Sequence, residues 1–206
     1  MKRALVALLL ALPLAATAQE AAPQLQEDPR AARFRDVERG LFVGFEIGYH
    51  AVLKTPVADP AHFPYAPAGG GGRAGGLLVG LTAGYDLSRR IGLSIFLLAS
   101  DLKADPSYGA FNVVGGGLDV RVAVVGASDS NEVERLYGYV HARGGYTKTY
   151  PNGLFGTNTP LAQGGLGIEY YTRLRHFSVG LALDGLYYPE PKAAGFAVTP
   201  TLRYTF

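Results

Sequence analysis

The chain of 206 residues contains no cysteine and no tryptophan, and only 17% of its residues are Asp, Glu, Lys or Arg. Without cysteine there is no disulfide, no thiolate nucleophile or thiolate metal ligand, and no point for lipid attachment after export. Without tryptophan, any aromatic belt at a membrane surface must be built from Tyr and Phe. The charged fraction falls below the roughly 25% usual for soluble domains. Nor is there an apolar run of the ~20 residues that a spanning helix needs. The longest, Ala4 to Leu14, sits behind a basic "MKR" start and before the small residues Ala16-Thr17-Ala18. That order is expected of a secretory signal peptide over residues 1–18, cleaved after Ala18. Removing Lys2 and Arg3 leaves 17 Lys and Arg against 17 acidic residues. The exported chain is then formally neutral, which removes the global basic field that nucleic-acid binding would call for.

What the chain has in abundance is glycine, 28 residues, and tyrosine, 13 residues. Residues 19–39 are polar and read as a linker in the periplasm, with room for a short helix. From Gly40 the texture changes. In "GLFVGFEIGYH" the residues Leu41, Val43, Phe45, Ile47 and Tyr49 fall on one side of an extended chain, and Gly44, Glu46, Gly48 and His50 on the other. A period of two argues for a β-strand. Seven more segments repeat the pattern, beginning near Gly76, Ile91, Val113, Leu136, Leu161, Phe177 and Gly195. Short or strongly polar connections ("SRR", "GASDSNEVER", "TRLRH") alternate with longer ones rich in Pro, Gly and Asp.

Eight such segments, each long enough for the ~9–11 residues of a spanning strand, predict an all-β protein. The expected fold is an eight-stranded antiparallel transmembrane up-and-down β-barrel over residues 40–206. Its bulky side chains would face lipid and its glycines and isolated charges would face the lumen. Closure follows because a sheet in hydrocarbon cannot leave edge N–H and C=O groups unpaired. A soluble barrel of the lipocalin type would instead show Lys and Glu outside, and the polar faces here are too rich in glycine for that. Phe42, Tyr49, Tyr85, Tyr146, Tyr170, Tyr187, Tyr204 and Phe206 are expected in the interfacial belts.

Alternation sends Glu46, Asp119, Arg121, His141, Arg143, Glu169, Asp184 and Arg203 inward, together with His50. Enclosed carboxylates need partners, so a mixed-sign network filling the lumen is predicted. Asp119 and Arg121 are expected beside His141 and Arg143, Glu169 beside the same two residues, and Glu46 against Arg203 where the first and last strands close. A barrel of eight strands is just wide enough to be filled by side chains, which argues against a conducting pore.

No metal-ligand spacing links His50, His62, His141 and His176, so no metal, cofactor or catalytic residue is assigned. His50 with Ser100 and Asp101 near one rim is the one grouping that could act on lipid; an inward histidine beside a polar neighbour is more often structural. The glycine-rich "AGGGGRAGG" (Ala68–Gly76) has no helix after it and so fails as a phosphate loop, reading as a flexible connection. The long loop that carries it also holds Phe63 and Tyr65, exposed aromatics suited to gripping a partner or to packing on the rim. The basic residues of "ERLYG" and "TRLRH" read first as headgroup anchors.

The signal segment, the eight strands and the terminal "LRYTF" resemble the small outer-membrane barrels of the OmpA/OmpX type. That resemblance implies a Gram-negative outer membrane, both termini in the periplasm, and recognition of Tyr204 and Phe206 by the barrel-insertion machinery. "RFRDVERG", "TPVADPAHFPY", "YVHARGGYTKTYPNGLFG" and the stretch from "TRLRHFSVGLALDGLYYP" to "TPTLRYTF" are similar to the CglE family of myxobacterial adventurous gliding motility proteins. This narrower resemblance implies an outer-membrane component of a trans-envelope motility machine with other motility proteins as partners. A filled barrel is expected to act as a non-enzymatic envelope scaffold or adhesion element, the alternatives being a barrel enzyme acting on lipid and a small passive channel.

Overall fold

The structure, a computed structural model, describes residues 37–56, 71–104, 110–150, 158–174, 176–190 and 192–206. The expected signal peptide, most of the linker, and the loop bearing His62, Phe63 and Tyr65 lie outside the described residues. Eight strands follow one another: β1 (Leu41–Pro56), β2 (Gly71–Asp86), β3 (Ile91–Ala104), β4 (Ala110–Ser128), β5 (Glu134–Tyr150), β6 (Thr159–Tyr171), β7 (Phe177–Tyr188) and β8 (Ala193–Thr205). Each pairs antiparallel with the next, and β1 pairs with β8, so the sheet closes into a barrel with no free edge. At 12 to 19 residues, every strand exceeds the ~9–11 that cross hydrocarbon.

Local chemistry explains the turns at one end, the turn end, where residues 37–40 and the C-terminus also lie. Asp129 Oδ1 accepts from the backbone N–H of Asn131 at 2.8 Å and of Val133 at 3.2 Å, and Glu132 takes the left-handed φ of 61° that reverses the chain. Ser88 Oγ accepts from the N–H of Ile91 at 3.0 Å between β2 and β3. Thr172 closes the β6–β7 turn, its N–H donating to the Phe177 carbonyl at 2.9 Å. The other end, the loop end, carries the longer connections.

Side-chain orientation answers the question posed by the glycine-rich faces. Leu41, Val43, Phe45, Ile47 and Tyr49 are all exposed on the outside, while Phe42, Glu46 and His50 are buried inside. The same alternation runs round the barrel, so the exterior is a continuous belt of Leu, Val, Ile, Phe and Tyr and the polar side chains are enclosed. Glycine on the inner wall makes room. Gly117 faces Gly145 across β4 and β5, and a Cβ on Gly117 would stand 2.6 Å from the Gly145 Cα. Gly167 leaves space for the Tyr139 ring, which a Cβ would overlap.

Three expectations are corrected. Phe42 does not join the interfacial belt: it shares parity with Glu46, so the pleat turns it inward beneath the Arg203 guanidinium, 3.6 Å from the ring centroid. Gly71–Gly75, expected in a loop, open β2, with Gly75 opposite Ala51 and Gly71 opposite Pro56. Main-chain pairing needs no side chains, and the length of β1 supplies the partners. Finally, charge does not fill the whole lumen. Val52, Leu78, Phe96, Leu98, Leu102, Phe111, Val113, Leu161 and Leu186 form an apolar core in the half nearer the loop end.

Candidate functional site: the barrel lumen

Three tiers stack along the lumen. The tier nearest the turn end has two carboxylates and two guanidiniums. Arg121 Nη1 donates to Glu169 Oε2 at 2.6 Å, and its Nη2 lies 3.4 Å from Asp86 Oδ1. Arg203 pairs with the other oxygen of Asp86, and its Nη1 is 3.6 Å from Glu169 Oε1. Ser178 Oγ donates to Glu169 Oε1 at 2.7 Å. Two guanidinium cations thus alternate with two carboxylates in a closed square, an arrangement in which each ion has two counterions. Below it, the Arg39 guanidinium stands 4.9 Å from the Tyr137 ring centroid and 5.5 Å from that of Tyr171, and donates to the Arg89 carbonyl at 2.6 Å. The segment entering β1 therefore lies across the mouth.

The middle tier is built on Arg143. Its two terminal nitrogens donate to the two Glu46 oxygens at 2.9 and 2.5 Å, and its Nε donates to Asp119 Oδ2 at 3.1 Å. His141 Nδ1 is 3.3 Å from Asp119 Oδ1. Its Nε2 is 2.6 Å from Asp184 Oδ1, a contact with the closeness of a charge pair rather than the alignment of a good hydrogen bond. Both ring nitrogens thus face carboxylate oxygens. The face of Phe96, its centroid 5.4 Å from the Arg143 guanidinium, separates this tier from the apolar one.

In the third tier His50, wholly buried, lies between Ser100 Oγ at 3.0 Å from Nδ1 and Tyr188 OH at 3.3 Å from Nε2. Ser100 and Tyr188 are buried as well, within the apolar core. Asp101 points outward from β3. The structure therefore joins His50 to Ser100 but holds Asp101 on the opposite face of the sheet, and a Ser-His-Asp relay is not assembled.

The residues expected in the interior network are lumenal, with different partners in part, while Tyr204 and Phe206 lie on the outer face and Phe63 and Tyr65 fall outside the described residues. Asp119 meets both His141 and Arg143 as expected from the register. Glu169 does not reach those two; it lies two pleats nearer the turn end, opposite Tyr137, and binds Arg121 and Arg203. Glu46 is opposite Thr201 rather than Arg203, and turns to Arg143 across the lumen. Asp86 went unassigned although it occupies the inward position of the second segment. Pairs that cross the lumen, β1 to β5 or β2 to β8, leave no trace in a register count between neighbours.

Between the two charged tiers lies a cavity of about 50 Å³, lined in part by Asp119, Arg121, His141 and Arg203. It has room for a small number of waters and none for an organic solute. Among the described residues no group of three or more His, Cys, Asp or Glu is placed to hold a metal ion.

No protein-family model matches the chain, and no curated protein matches it. Among solved structures, Neisserial surface protein A (NspA) aligns over 81% of this chain and 99% of its own, with a TM-score of 0.59 at 14% identity. The chain has the fold of a small outer-membrane β-barrel. The outer membrane protein OprG from Pseudomonas aeruginosa covers 84% of this chain and 100% of its own (TM-score 0.46, 13% identity). AlkL, determined in lipid bilayers, covers 92% and 97% (TM-score 0.48, 13% identity). At these identities the likeness is one of fold.

Proposed function

We propose that this chain is a non-enzymatic β-barrel of a Gram-negative outer membrane, acting as an envelope scaffold or adhesion component of a gliding-motility machine. The observation that carries the scaffold reading is a lumen filled along its length: Arg39 over the mouth, two interlocked ionic tiers, then an apolar core. A barrel so filled transmits no solute, and what it offers is a rigid frame for its connections. The exposed apolar belt supports the membrane location, since exterior surface of this extent is stable against acyl chains and not against water. In this setting the turn end is periplasmic, and the loops at the other end are displayed outside. Tyr204 and Phe206 would be read by the insertion machinery, and Phe63 and Tyr65 would engage a surface partner.

The motility assignment rests on the similarity to the CglE family, and a deletion strain tests it: impaired surface movement is expected, and normal movement overturns it. Purified protein in planar bilayers is expected to give no stable open current; steady conductance would replace the scaffold by a channel. One observation favours a second reading, an enzyme acting on lipid: the His50–Ser100 hydrogen bond. His50→Ala should leave envelope lipid composition unchanged, and an altered lipid profile would install the enzyme in place of the scaffold.

A further inference from the structure

Among the described residues, the outer wall carries a concavity of about 460 Å³, formed almost entirely of apolar surface. Its geometry follows from register. Phe177 on β7 is opposite Tyr204 on β8, which is opposite Val43 on β1, then Ala83 on β2 and Ile95 on β3. A parallel row one pleat further in runs Leu202, Phe45, Leu81 and Leu97. The two rows flank a trough, and Ala83 deepens it, being the small member among the outward residues Leu77, Val79, Leu81 and Tyr85 of its strand. The trough is not level. Phe177 opens β7 at the turn end, whereas Ile95 stands four residues inside β3, so the trough climbs from the membrane boundary toward mid-barrel.

Hydrophobicity alone cannot select an occupant in a bilayer, because acyl chains are as apolar as the wall. Shape and headgroup chemistry must do so. The low end of the trough meets the β6–β7 turn, where Arg173 is exposed and the outward Leu174, next to it in sequence, and Phe177 form the turn's apolar edge. Beside them the His176 ring stacks on Tyr204, with centroids 5.2 Å apart, and Tyr204 meets Phe177 edge-on at 5.1 Å. A cation at the interface, an aromatic shelf, and an apolar channel rising inward match one amphiphile: an anionic head at the surface with a chain pointing to the midplane.

We infer that this trough binds one glycerophospholipid of the periplasmic leaflet, an acyl chain lying along Ala83 and the phosphate at Arg173. The inference rests on the membrane reading above, and that reading fails separately, if the mature chain fractionates as a soluble periplasmic protein. The test uses the full chain extracted from native membranes in mild detergent and measured by native mass spectrometry, with heat-modifiable gel migration reporting that each variant is folded. The wild type should retain a single phospholipid. Ala83→Phe fills the trough and should weaken retention about tenfold, through lost shape complementarity. Arg173→Glu, on an exposed turn, should also weaken it, and it keeps the test open if Ala83→Phe does not fold. Leu118→Phe, on the outer face of β4, should change nothing. Equal retention in Ala83→Phe or Arg173→Glu, a folded wild type with no bound phospholipid, or a dimer mass in place of the lipid adduct would each overturn the inference.

Discussion

Arg143 holds Glu46 across the lumen with both terminal nitrogens, at 2.9 and 2.5 Å, although 97 residues separate them in the chain. The pair ties β1 to β5, strands on opposite walls, and Asp119 on the guanidinium's Nε extends the tie to β4. Removing the cation leaves enclosed Glu46 without its counterion and Asp119 with His141 alone, whereas neutralising Glu46 strands no carboxylate. Arg143→Met should therefore cost about 3–5 kcal/mol, and Glu46→Gln distinctly less. Denaturant titration of the refolded barrel in detergent checks the ranking; equal losses would mean that the two charges are coupled to nothing else.

Outward residues give the opposite experiment. Leu118 lies mid-strand on the outer face of β4 and is 59% exposed. In water, Leu118→Arg would be close to neutral, because the side chain is already solvated. Against acyl chains at mid-membrane it should cost ~2–4 kcal/mol. Folding measured in lipid vesicles should show that loss, and an unchanged midpoint would place the belt in water.

How far these features could be read from the sequence depends on their range. Alternation is local, so strand number, inward charges and outward belt all follow from it, and Glu46, His141 and Arg203 were placed on the correct face. Register between neighbours is nearly local, and it brought Asp119 to His141 and Arg143. Contacts through the lumen depend on shear and on closure, which no single segment encodes. That is why a count between neighbours sets Glu46 against Arg203, and why the partners of Asp86, inward by alternation alone, emerge only in the closed lumen. The apolar tier was hidden for another reason: Leu78, Phe96 and Leu98 lie in segments apolar on both faces, where alternation carries no signal.

The turn between β4 and β5 carries a pH dependence outside the strands. Arg135 Nε donates to Asp129 Oδ2 at 2.9 Å and, with the N–H groups of Asn131 and Val133, holds the Asp129 carboxyl below the ordinary aspartate range. A carboxyl lowered on folding stabilises the turn above its unfolded value, and that contribution disappears as pH falls through the lowered native value. Hydrogen exchange at the Asn131 and Val133 amides should therefore lose protection on acidification below that range. Asp129→Asn should remove the pH dependence, and a wild-type turn insensitive to acid would contradict the assignment.

Phe96 is the floor of the apolar tier and the roof of the ionic one, fully enclosed and stacked toward Arg143. Phe96→Ala should lower stability by about 3–5 kcal/mol, through lost transfer energy and the void left behind. The void would also join the 50 Å³ cavity of the charged tiers to the space around His50. Water entering there would loosen the His50–Ser100 and His50–Tyr188 contacts, which now stand in an apolar surround. Phe96→Leu keeps most of the volume and should recover much of the stability. Denaturation midpoints rank the three proteins, and the imidazole proton resonances of His50 report the water. Alanine at this position without effect on either would mean that the two tiers are not separated by the Phe96 ring.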